Sequence, residues 1–383
     1  MKDIPYGKQA IDEDDIDAVV KVLRSDFLTQ GPQIELFEQA VASYCSTAYA
    51  VAFSSGTAAL HGACFAAEIK KDYEVITSPL TFAASANCVL YCGGKPIFAD
   101  IKKDLPLIDP QQIEKKITPK TRVLIPVDYS GIPADYDEIN EVAKRYNLIV
   151  IADASHSFGA TYKGRKVGTL VDMTVFSFHP VKTITTGEGG MVVTNNRHLY
   201  ERLKLFRTHG ITKDKKYLIK KNEGPWYYEM QELGFNYRLT DIQAALGVSQ
   251  VKKIDIFLKK RKVIAQAYQN AFINHSLINC LYIPHDRTSA WHLFPILLNK
   301  KFIKFRKEIV EKLHSTGIRA QVHYIPVHVH PYYQRHFRYK MGDFPNTELF
   351  YKREISLPIY PQLTNEQFTY VVKIVNELMR RFS

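Results

Sequence analysis

Long apolar runs and a dense set of cysteines are both missing from this sequence of 383 residues. No apolar stretch approaches the ~20 residues that a transmembrane helix needs, so we expect no membrane partner. The first residues contain no apolar core of a secretory signal, and acidic residues dominate positions 12–17. The five cysteines are an odd, scattered set, which is typical of a reduced protein rather than a disulfide scaffold. These absences predict a cytoplasmic protein.

Positive charge is in moderate excess, because the chain has 51 Lys and Arg residues and 39 Asp and Glu residues. The basic residues are spread along the chain, and the densest stretch, 213–221, has the composition of a solvated loop. A small anionic substrate is a sufficient partner for such an excess, so we expect no nucleic-acid partner. A hydrophobic content of 46% excludes wholesale disorder, and the length allows two or three domains.

Short apolar segments alternate with helical ones through the first two-thirds of the chain. The predicted strands are 48–53, 74–77, 95–99, 122–127, 148–152, 173–178 and 190–194. Helical spacing appears between several of them, for example at 58–68 and 133–147. Strands separated by helices pair in parallel, so the pattern predicts an α/β domain with a mostly parallel central sheet.

The pattern changes near residue 239. A long amphipathic helix is predicted over 240–258, with a continuation to 274. Strand-like pieces at 290–298 and 318–324 and helices at 306–315 and 365–382 follow. We therefore predict a large domain over 1–245 and a smaller α+β domain over 246–383.

Three polar segments follow predicted strands. Asp153 ends one strand, with His156 close behind it. Lys182 follows the strand that ends at Ser177 and precedes a glycine-rich turn, and a small-residue turn at 54–57 precedes a helix. Each has an ordinary explanation on its own, as a helix cap or an exposed side chain. Because ligands of parallel sheets bind at the carboxyl ends of strands, we expect the three segments to meet.

This combination of groups suits pyridoxal 5′-phosphate (PLP). The cofactor needs a lysine for a Schiff base and a carboxylate beside its pyridine nitrogen. Its phosphate needs hydroxyls and backbone N–H groups at a helix N-terminus. The sequence therefore predicts PLP as the cofactor.

The residue order within these segments is also specific. The segments DASH, SFHPVKTITTGEGG and GFNYRLTDIQAALG, together with LTQGP (28–32) and QVHY (321–324), resemble the DegT/DnrJ/EryC/StrS family of sugar aminotransferases. The resemblance covers almost the whole chain. It implies the fold-type-I PLP-dependent transferase architecture and a homodimer with shared active sites.

The resemblance also implies roles for individual residues at the cofactor. Lys182 corresponds to the Schiff-base lysine, Asp153 to the partner of the pyridine nitrogen, and His156 to a contact of the phenolic oxygen. The remaining cofactor-binding positions are Gly56, Thr57 and Ser177 at the phosphate, Phe82 against the pyridine ring, and Asn236 from the neighbouring subunit.

For the substrate, the resemblance implies an anion-binding arginine and a set of nucleotide-sugar contacts. Arg238 would reach the substrate from the neighbouring subunit. The nucleotide-sugar contacts would be Tyr6, Asp26, Phe27, Leu28, Thr29, His323 and Tyr324. Histidines 323, 328 and 330 lie close together in sequence, but they lack a fixed acidic or cysteine partner, so we predict no metal site.

Within the family, the segments are most similar to the transaminases of pseudaminic-acid biosynthesis. The predicted reaction moves an amino group from L-glutamate to C4 of a UDP-linked 4-keto-6-deoxy-N-acetylhexosamine, for a surface glycan. The alternatives are another nucleotide-linked keto sugar, a PLP- or PMP-dependent sugar dehydratase, and a non-catalytic sensor. Dehydratases carry histidine where this chain has Lys182, which argues against the second. The sequence leaves open the choice between C3 and C4 and the role of the loop 213–228.

Overall fold

The computed structural model describes residues 3–382. Its strands are β1 (Ile4–Pro5), β2 (Tyr49–Phe53), β3 (Glu74–Thr77), β4 (Lys95–Phe98), β5 (Thr121–Ile125), β6 (Ile149–Asp153), β7 (Thr161–Tyr162), β8 (Arg165–Lys166), β9 (Met173–Ser177), β10 (Gly190–Thr194), β11 (Ile211–Thr212), β12 (Glu229–Met230), β13 (Ile278–Cys280), β14 (Phe294–Leu298), β15 (Ile318–Arg319) and β16 (Glu354–Leu357).

The α-helices are α1 (Glu13–Leu23), α2 (Pro32–Cys45), α3 (Gly56–Ala66), α4 (Ala84–Tyr91), α5 (Pro110–Glu114), α6 (Tyr136–Tyr146), α7 (Arg197–Arg207), α8 (Asp241–Val251), α9 (Ile254–Phe272), α10 (Arg306–Ser315), α11 (Pro331–Phe337), α12 (Pro345–Arg353) and α13 (Asn365–Phe382). Short 3₁₀ turns cover Tyr129–Gly131, Lys300–Phe305 and Val327–Val329. In the part of the chain described here, no helix is both long and apolar enough to cross a bilayer.

A seven-stranded sheet in the order β2-β10-β9-β6-β5-β3-β4 forms the centre of the protein. Its neighbours pair in parallel except β10, which is antiparallel to both β2 and β9. The connection from β9 to β10 contains no helix, so the chain returns beside β9 in the opposite direction. This reversal places residues 178–189, with Lys182 among them, beyond the carboxyl end of β9. The predicted α/β architecture with a mostly parallel sheet is confirmed.

Both faces of the central sheet are covered, which explains why its strands are apolar throughout rather than alternating. Helices α3, α4 and α7 pack on one face through an apolar cluster that includes Val51, Val123 and Ile151. Helices α2, α6 and α8 pack on the other face against residues such as Leu124 and Val150. The edge of the sheet at the carboxyl ends of its parallel strands is left free for polar side chains.

A second, antiparallel sheet of order β13-β14-β16 forms a separate apolar cluster with α9, α10 and α13. The N-terminal strand β1 pairs in parallel with β15, so the first residues of the chain lie against its C-terminal third. The predicted strand at 318–324 is regular only at Ile318–Arg319, and the one at 290–298 begins at Phe294.

The single long helix that we predicted from residue 240 is wrong, because α8 ends at Val251 and α9 begins at Ile254. The two helices pack in different places. Helix α8 lies against α1 and α2, whereas α9 contributes to the cluster around the second sheet. At the break, Lys253 forms ion pairs with Asp12 and Asp15 near the start of α1. The predicted domain boundary at 245/246 lies within α8, and the division into two domains stays a prediction.

Candidate active site

A cleft of about 390 Å³ opens at the carboxyl ends of the central strands. The connections after β2, β6 and β9 contribute to its walls, as do His292, which precedes β14, and His323 and Tyr324, which follow β15. The predicted site residues that line it are Tyr6, Gly56, Thr57, Phe82, Asp153, His156, Ser177, Lys182, His323 and Tyr324. Tertiary structure therefore brings together side chains that are far apart in sequence.

Asp153, the last residue of β6, presents a carboxylate whose orientation is fixed by two serines. The Oγ of Ser155 donates to Oδ1 at 2.6 Å, and the backbone N–H of the same residue donates to that oxygen at 3.2 Å. The Oγ of Ser85 donates to Oδ2, also at 2.6 Å. Asp153 is 5% exposed, so this carboxylate is desolvated but held by hydrogen bonds.

Lys182 lies across the cleft in the turn after β9. Its backbone N–H donates to the carbonyl of His179 at 2.9 Å, and its carbonyl accepts from the buried guanidinium of Arg261 at 3.4 Å. Burial lowers the pKa of the Lys182 amine to about 8, although the Asp153 carboxylate opposes this shift. An amine with such a pKa exchanges protons readily near neutral pH.

The turn between β2 and α3 forms a cradle for an anion. Ser55 caps α3, and its Oγ accepts from the N–H of Ala58 at 3.1 Å. A Cβ atom on Gly56 would lie 2.9 Å from the Cβ of Ser177, so only glycine fits at this point. The backbone N–H groups at the start of α3 and the hydroxyls of Thr57 and Ser177 border the same cleft, which suits a phosphate.

His156 is a buried, neutral imidazole. Its Nδ1 accepts from the backbone N–H of Ser130 at 3.3 Å, so the ring proton resides on Nε2, which lies 2.9 Å from the hydroxyl oxygen of Tyr324. The ring packs on that of His292, with 4.3 Å between centroids. Burial and the nearby Lys182 amine hold the pKa of His156 well below its usual range.

The other end of the cleft is aromatic. The Tyr6 ring, which the β1–β15 pairing brings into place, lies 5.0 Å from that of His323. Phe82 is 62% exposed, and its ring is 6.0 Å from that of Tyr324. Exposed aromatic faces in a cleft are suited to flat rings of a ligand.

The remaining predicted site residues do not line this cleft in their own chain. Asp26, Phe27, Leu28 and Thr29 are exposed between α1 and α2, and Thr29 pairs with Thr240 in an isolated bridge. Asn236, also exposed, pairs with Thr208, and Arg238 borders a separate surface depression. These two segments adjoin one another at the start of α8.

Sequence reasoning missed several residues of the site. Ser155 is inside the DASH motif and could have been included on that ground. Ser85 and His292 carry no signal in the sequence, because their contacts with Asp153 and His156 join residues that are distant along the chain. Ser130 acts through its backbone N–H, which no side-chain pattern reveals.

No group of three or more His, Cys, Asp and Glu side chains suited to a metal ion occurs within residues 3–382. Among the neighbouring histidines 323, 328 and 330, His328 instead pairs with Glu348, with Nε2 3.1 Å from Oε1.

The sequence profile described as the DegT/DnrJ/EryC1/StrS aminotransferase family matches residues 9–376. The chain belongs to this family. The UDP-4-amino-4,6-dideoxy-N-acetyl-beta-L-altrosamine transaminase of Campylobacter jejuni (serotype O:23/36) is 40% identical over 373 residues, which is 96% of this chain and 95% of that protein.

Solved structures agree with this assignment. Helicobacter pylori PseC, an aminotransferase involved in the biosynthesis of pseudoaminic acid, superposes with a TM-score of 0.92 at 37% identity, covering 98% of this chain and 99% of that one. The PLP form of the putative sugar aminotransferase Spr1654 from Streptococcus pneumoniae gives a TM-score of 0.92 at 30% identity, with 99% of each chain covered.

The aminotransferase is therefore a PLP-dependent enzyme of the sugar-aminotransferase family, and the predicted family, fold and cofactor are confirmed. The cleft fits the cofactor on its own evidence. A partly buried amine, a fixed carboxylate and a glycine cradle at a helix N-terminus are the three groups that PLP requires.

Proposed function

We propose that this enzyme transfers an amino group from L-glutamate to C4 of a UDP-linked 4-keto-6-deoxy-N-acetylhexosamine, a step towards pseudaminic acid or a related surface glycan, in the cytoplasm. One observation carries the proposal. A cleft with the groups for PLP opens onto an aromatic end lined by Tyr6, His323 and Tyr324, in a chain 40% identical to a transaminase named for a UDP-linked amino sugar.

In this proposal Lys182 is the lysine to which the cofactor attaches and the group that moves the proton. When bound, PLP supplies an electron sink that makes the α-hydrogen of the amino donor acidic. The Nζ of Lys182, once released, takes that proton as a base and returns it as an acid, which its lowered pKa favours. The presence of this amine is also what favours transamination over the dehydratase alternative.

Asp153 holds the pyridine nitrogen of the cofactor in its protonated form. Its two oxygens already accept from Ser85 and Ser155, so the carboxylate is oriented before the ligand arrives. His156 contacts the phenolic oxygen, while Gly56, Thr57 and Ser177 bind the phosphate and Phe82 covers the ring. Glutamate and the keto sugar would occupy this cleft in turn.

The substrate side of the site is completed by a second copy of the chain. Asn236 and Arg238 belong to a surface that lies outside the cleft of their own chain. Large apolar side chains near them in sequence are exposed, including Leu233 (73%) and Phe235 (37%), and Phe27 and Leu28 are exposed in the adjoining segment. Such apolar exposure beside polar residues is typical of an interface. We therefore propose a homodimer in which Asn236 reaches the partner's phosphate and Arg238 its anionic substrate.

A substrate panel tests the function. Purified enzyme would be given L-glutamate and a set of UDP- and dTDP-linked keto sugars, with the product's amino position determined by NMR. We expect amination of the UDP-linked 4-keto sugar and release of 2-oxoglutarate, with no product from the Lys182→Ala variant. Preference for a dTDP sugar, or amination at C3, would contradict the proposed substrate while leaving the transaminase assignment intact.

A further inference from the structure

Three buried groups form a hydrogen-bonded chain from the second sheet to the cleft. Glu354 and Ser356, both 0% exposed, are two residues apart on β16. The Oγ of Ser356 hydrogen-bonds Oε1 of Glu354 and lies 2.9 Å from Nδ1 of His323. The other carboxyl oxygen of Glu354 accepts the backbone N–H of His323 at 2.8 Å. Since the His323 ring lines the cleft, one hydroxyl connects a buried carboxyl group to the substrate end.

The direction of hydrogen bonding along this chain depends on the charge of Glu354. A serine hydroxyl has one hydrogen and can donate to only one neighbour. An ionised Glu354 only accepts, so Ser356 donates to it, and Nδ1 of His323 must carry the ring proton and donate to Ser356. The Nε2 of His323 is then an acceptor.

Protonation of Glu354 reverses the order. With a proton on Oε1, Glu354 donates to Ser356, whose hydroxyl then donates to Nδ1 of His323. The ring proton must now reside on Nε2, which becomes a donor. Burial and the Lys182 amine lower the pKa of His323 to about 3, so the ring stays neutral and has a single proton to place. Within residues 3–382, no hydrogen bond to Nε2 competes with a ligand.

We propose that Glu354, acting through Ser356, is a positioning residue that determines whether Nε2 of His323 offers the sugar substrate a hydrogen-bond donor or an acceptor. A keto oxygen can only accept a hydrogen bond, so the donor form, with Glu354 neutral, is the one that suits a keto sugar. This consequence for the reaction rests on the proposed function, whereas the control of the ring proton does not.

The surroundings of Glu354 determine where the change occurs. Burial raises the pKa of Glu354 to about 8, although the hydrogen bonds from Ser356 and from the backbone N–H of His323, and then the Arg306 guanidinium on α10, oppose that shift. The other charged or titratable side chains around the hydrogen-bonded chain are Lys182, His156, His292, Tyr6, Tyr129 and Tyr324. Burial holds the pKa of both histidines well below the usual range, so they stay neutral. The three phenols stay neutral because burial raises the pKa of each. Below pH 8 the donor form of His323 is therefore favoured, and above it the acceptor form.

The Glu354→Gln variant is expected to hold His323 in a single tautomer. The amide oxygen must accept from the backbone N–H of His323, so the NH₂ group faces Ser356 and donates to it. This arrangement mimics protonated Glu354 and keeps the ring proton on Nε2 at every pH. Glu348→Gln is the matched control, because Glu348 is also buried (5% exposed) and hydrogen-bonded to a histidine, His328, but does not line the cleft.

Ring-nitrogen NMR of ¹⁵N-histidine-labelled holoenzyme reads the proton position directly, with the His323 signals assigned by their loss in His323→Gln. We expect the wild-type and Glu348→Gln proteins to move the proton from Nε2 to Nδ1 between about pH 6 and about pH 10, and Glu354→Gln to keep it on Nε2. A wild-type proton position that stays constant over this range would overturn the inference, and so would an unchanged titration in Glu354→Gln.

Ser356 provides a second test if Glu354→Gln does not fold. Ser356→Ala should uncouple the ring proton from Glu354, while Ser356→Thr, which keeps the hydroxyl, should restore the titration. If the His323 ring proton titrated equally in Ser356→Ala and wild type, the hydrogen-bonded connection through Ser356 would be refuted. In kinetics, the rate of the sugar half-reaction in Glu354→Gln should be about tenfold higher than in wild type near pH 9, while the rate of the glutamate half-reaction should be unchanged.

The two proposals fail separately. The NMR result stands whatever sugar is used, so the expected titration without amination of the UDP-linked sugar would refute only the proposed substrate. Amination of that sugar with no movement of the ring proton would refute only the role of Glu354.

Discussion

The cofactor end of the cleft and the segments around residues 26–29 and 236–238 are built differently. At the cofactor end, Asp153 and Lys182 follow strands of the central sheet and are held by hydrogen bonds within their own chain. Residues 26–29 and Asn236 are exposed, and Arg238 is partly exposed beside a surface depression. This contrast supports the proposed homodimer, in which residues 236–238 contribute to the partner's site.

This difference has a physical basis. The buried carboxylate of Asp153 needs fixed hydrogen-bond donors when the ligand is absent, because unpaired buried charge is costly. An arginine that meets an anion at an interface remains solvated until the interface forms. Mutations of Asp153 and Lys182 should therefore affect every catalytic step, and mutation of Arg238 should affect the step with the sugar nucleotide most.

The largest effect is expected for Lys182→Ala. Removing the only amine among the predicted catalytic groups should lower turnover by about 10³-fold or more, because no other group at that position moves the proton. Purified wild-type protein should absorb in the near-visible range, and this absorbance should change when glutamate is added. The variant should show neither the absorbance nor the change. Lys163→Ala, which removes an exposed lysine paired with Asp137, is the control. Full turnover in Lys182→Ala would refute the assignment of Lys182 as the Schiff-base lysine.

A smaller but still large loss is expected for Asp153→Asn. The amide keeps the shape of the side chain and loses the negative charge, so the cofactor should bind while turnover falls by more than about tenfold, or ~1.4 kcal/mol of barrier. Steady-state rates and cofactor absorbance measure the two quantities. Asp100→Asn changes a buried carboxylate that accepts backbone N–H groups away from the cleft, and it should leave the turnover of folded enzyme unchanged. A loss below about tenfold in Asp153→Asn would make this residue a structural cap.

Arg238→Ala should raise the KM for the sugar nucleotide by about tenfold, the usual cost of a lost charge-assisted hydrogen bond. The glutamate half-reaction should change less. Both half-reactions are measured by rapid-mixing absorbance. Equal effects on both would contradict a role at the sugar nucleotide.

Subunit mixing sharpens the same comparison. Lys182→Ala and Arg238→Ala chains should together regenerate one intact site per heterodimer, so the mixture should exceed either parent in activity. Subunit exchange would be verified with tagged chains. An exchanged mixture without a gain, or a fully active monomer, would show that residues 236–238 do not complete a partner's site.

The smallest effect concerns the stability of the cofactor-free protein. The pKa of Lys182 is lower in the folded chain than in the unfolded chain, so the unfolded state binds more protons between about pH 8 and pH ~10.5. Lys182→Met should therefore stabilise the apo-protein at neutral pH, on the order of 1 kcal/mol, because the half-buried amine keeps some contact with solvent. The gain should be constant below about pH 8 and shrink as pH rises towards ~10.5. Urea unfolding at several pH values measures it, and a gain that grows with pH would contradict the sign.

Much of the fold could be predicted because local patterns carry it. Each of the seven central strands is a short apolar segment bounded by turn residues, and the structure has a strand that overlaps every one of the predicted ranges, although β5 begins and β6 ends one residue outside its range. The break between α8 and α9 could not be predicted, because the amphipathic pattern continues through Lys252 and Lys253 and only the different packing of the two helices separates them.

The sequence by itself determined the α/β class, the family and the positions of Asp153, His156 and Lys182 after strand ends, since these depend on periodicity and on motifs contiguous in the chain. Only the tertiary structure decided that β10 runs antiparallel, that Ser85 holds Asp153, and that Glu354 and Ser356 lie behind His323. Such contacts join residues distant in sequence, and a hydrogen bond depends on distances of a few tenths of an ångström that no local pattern encodes.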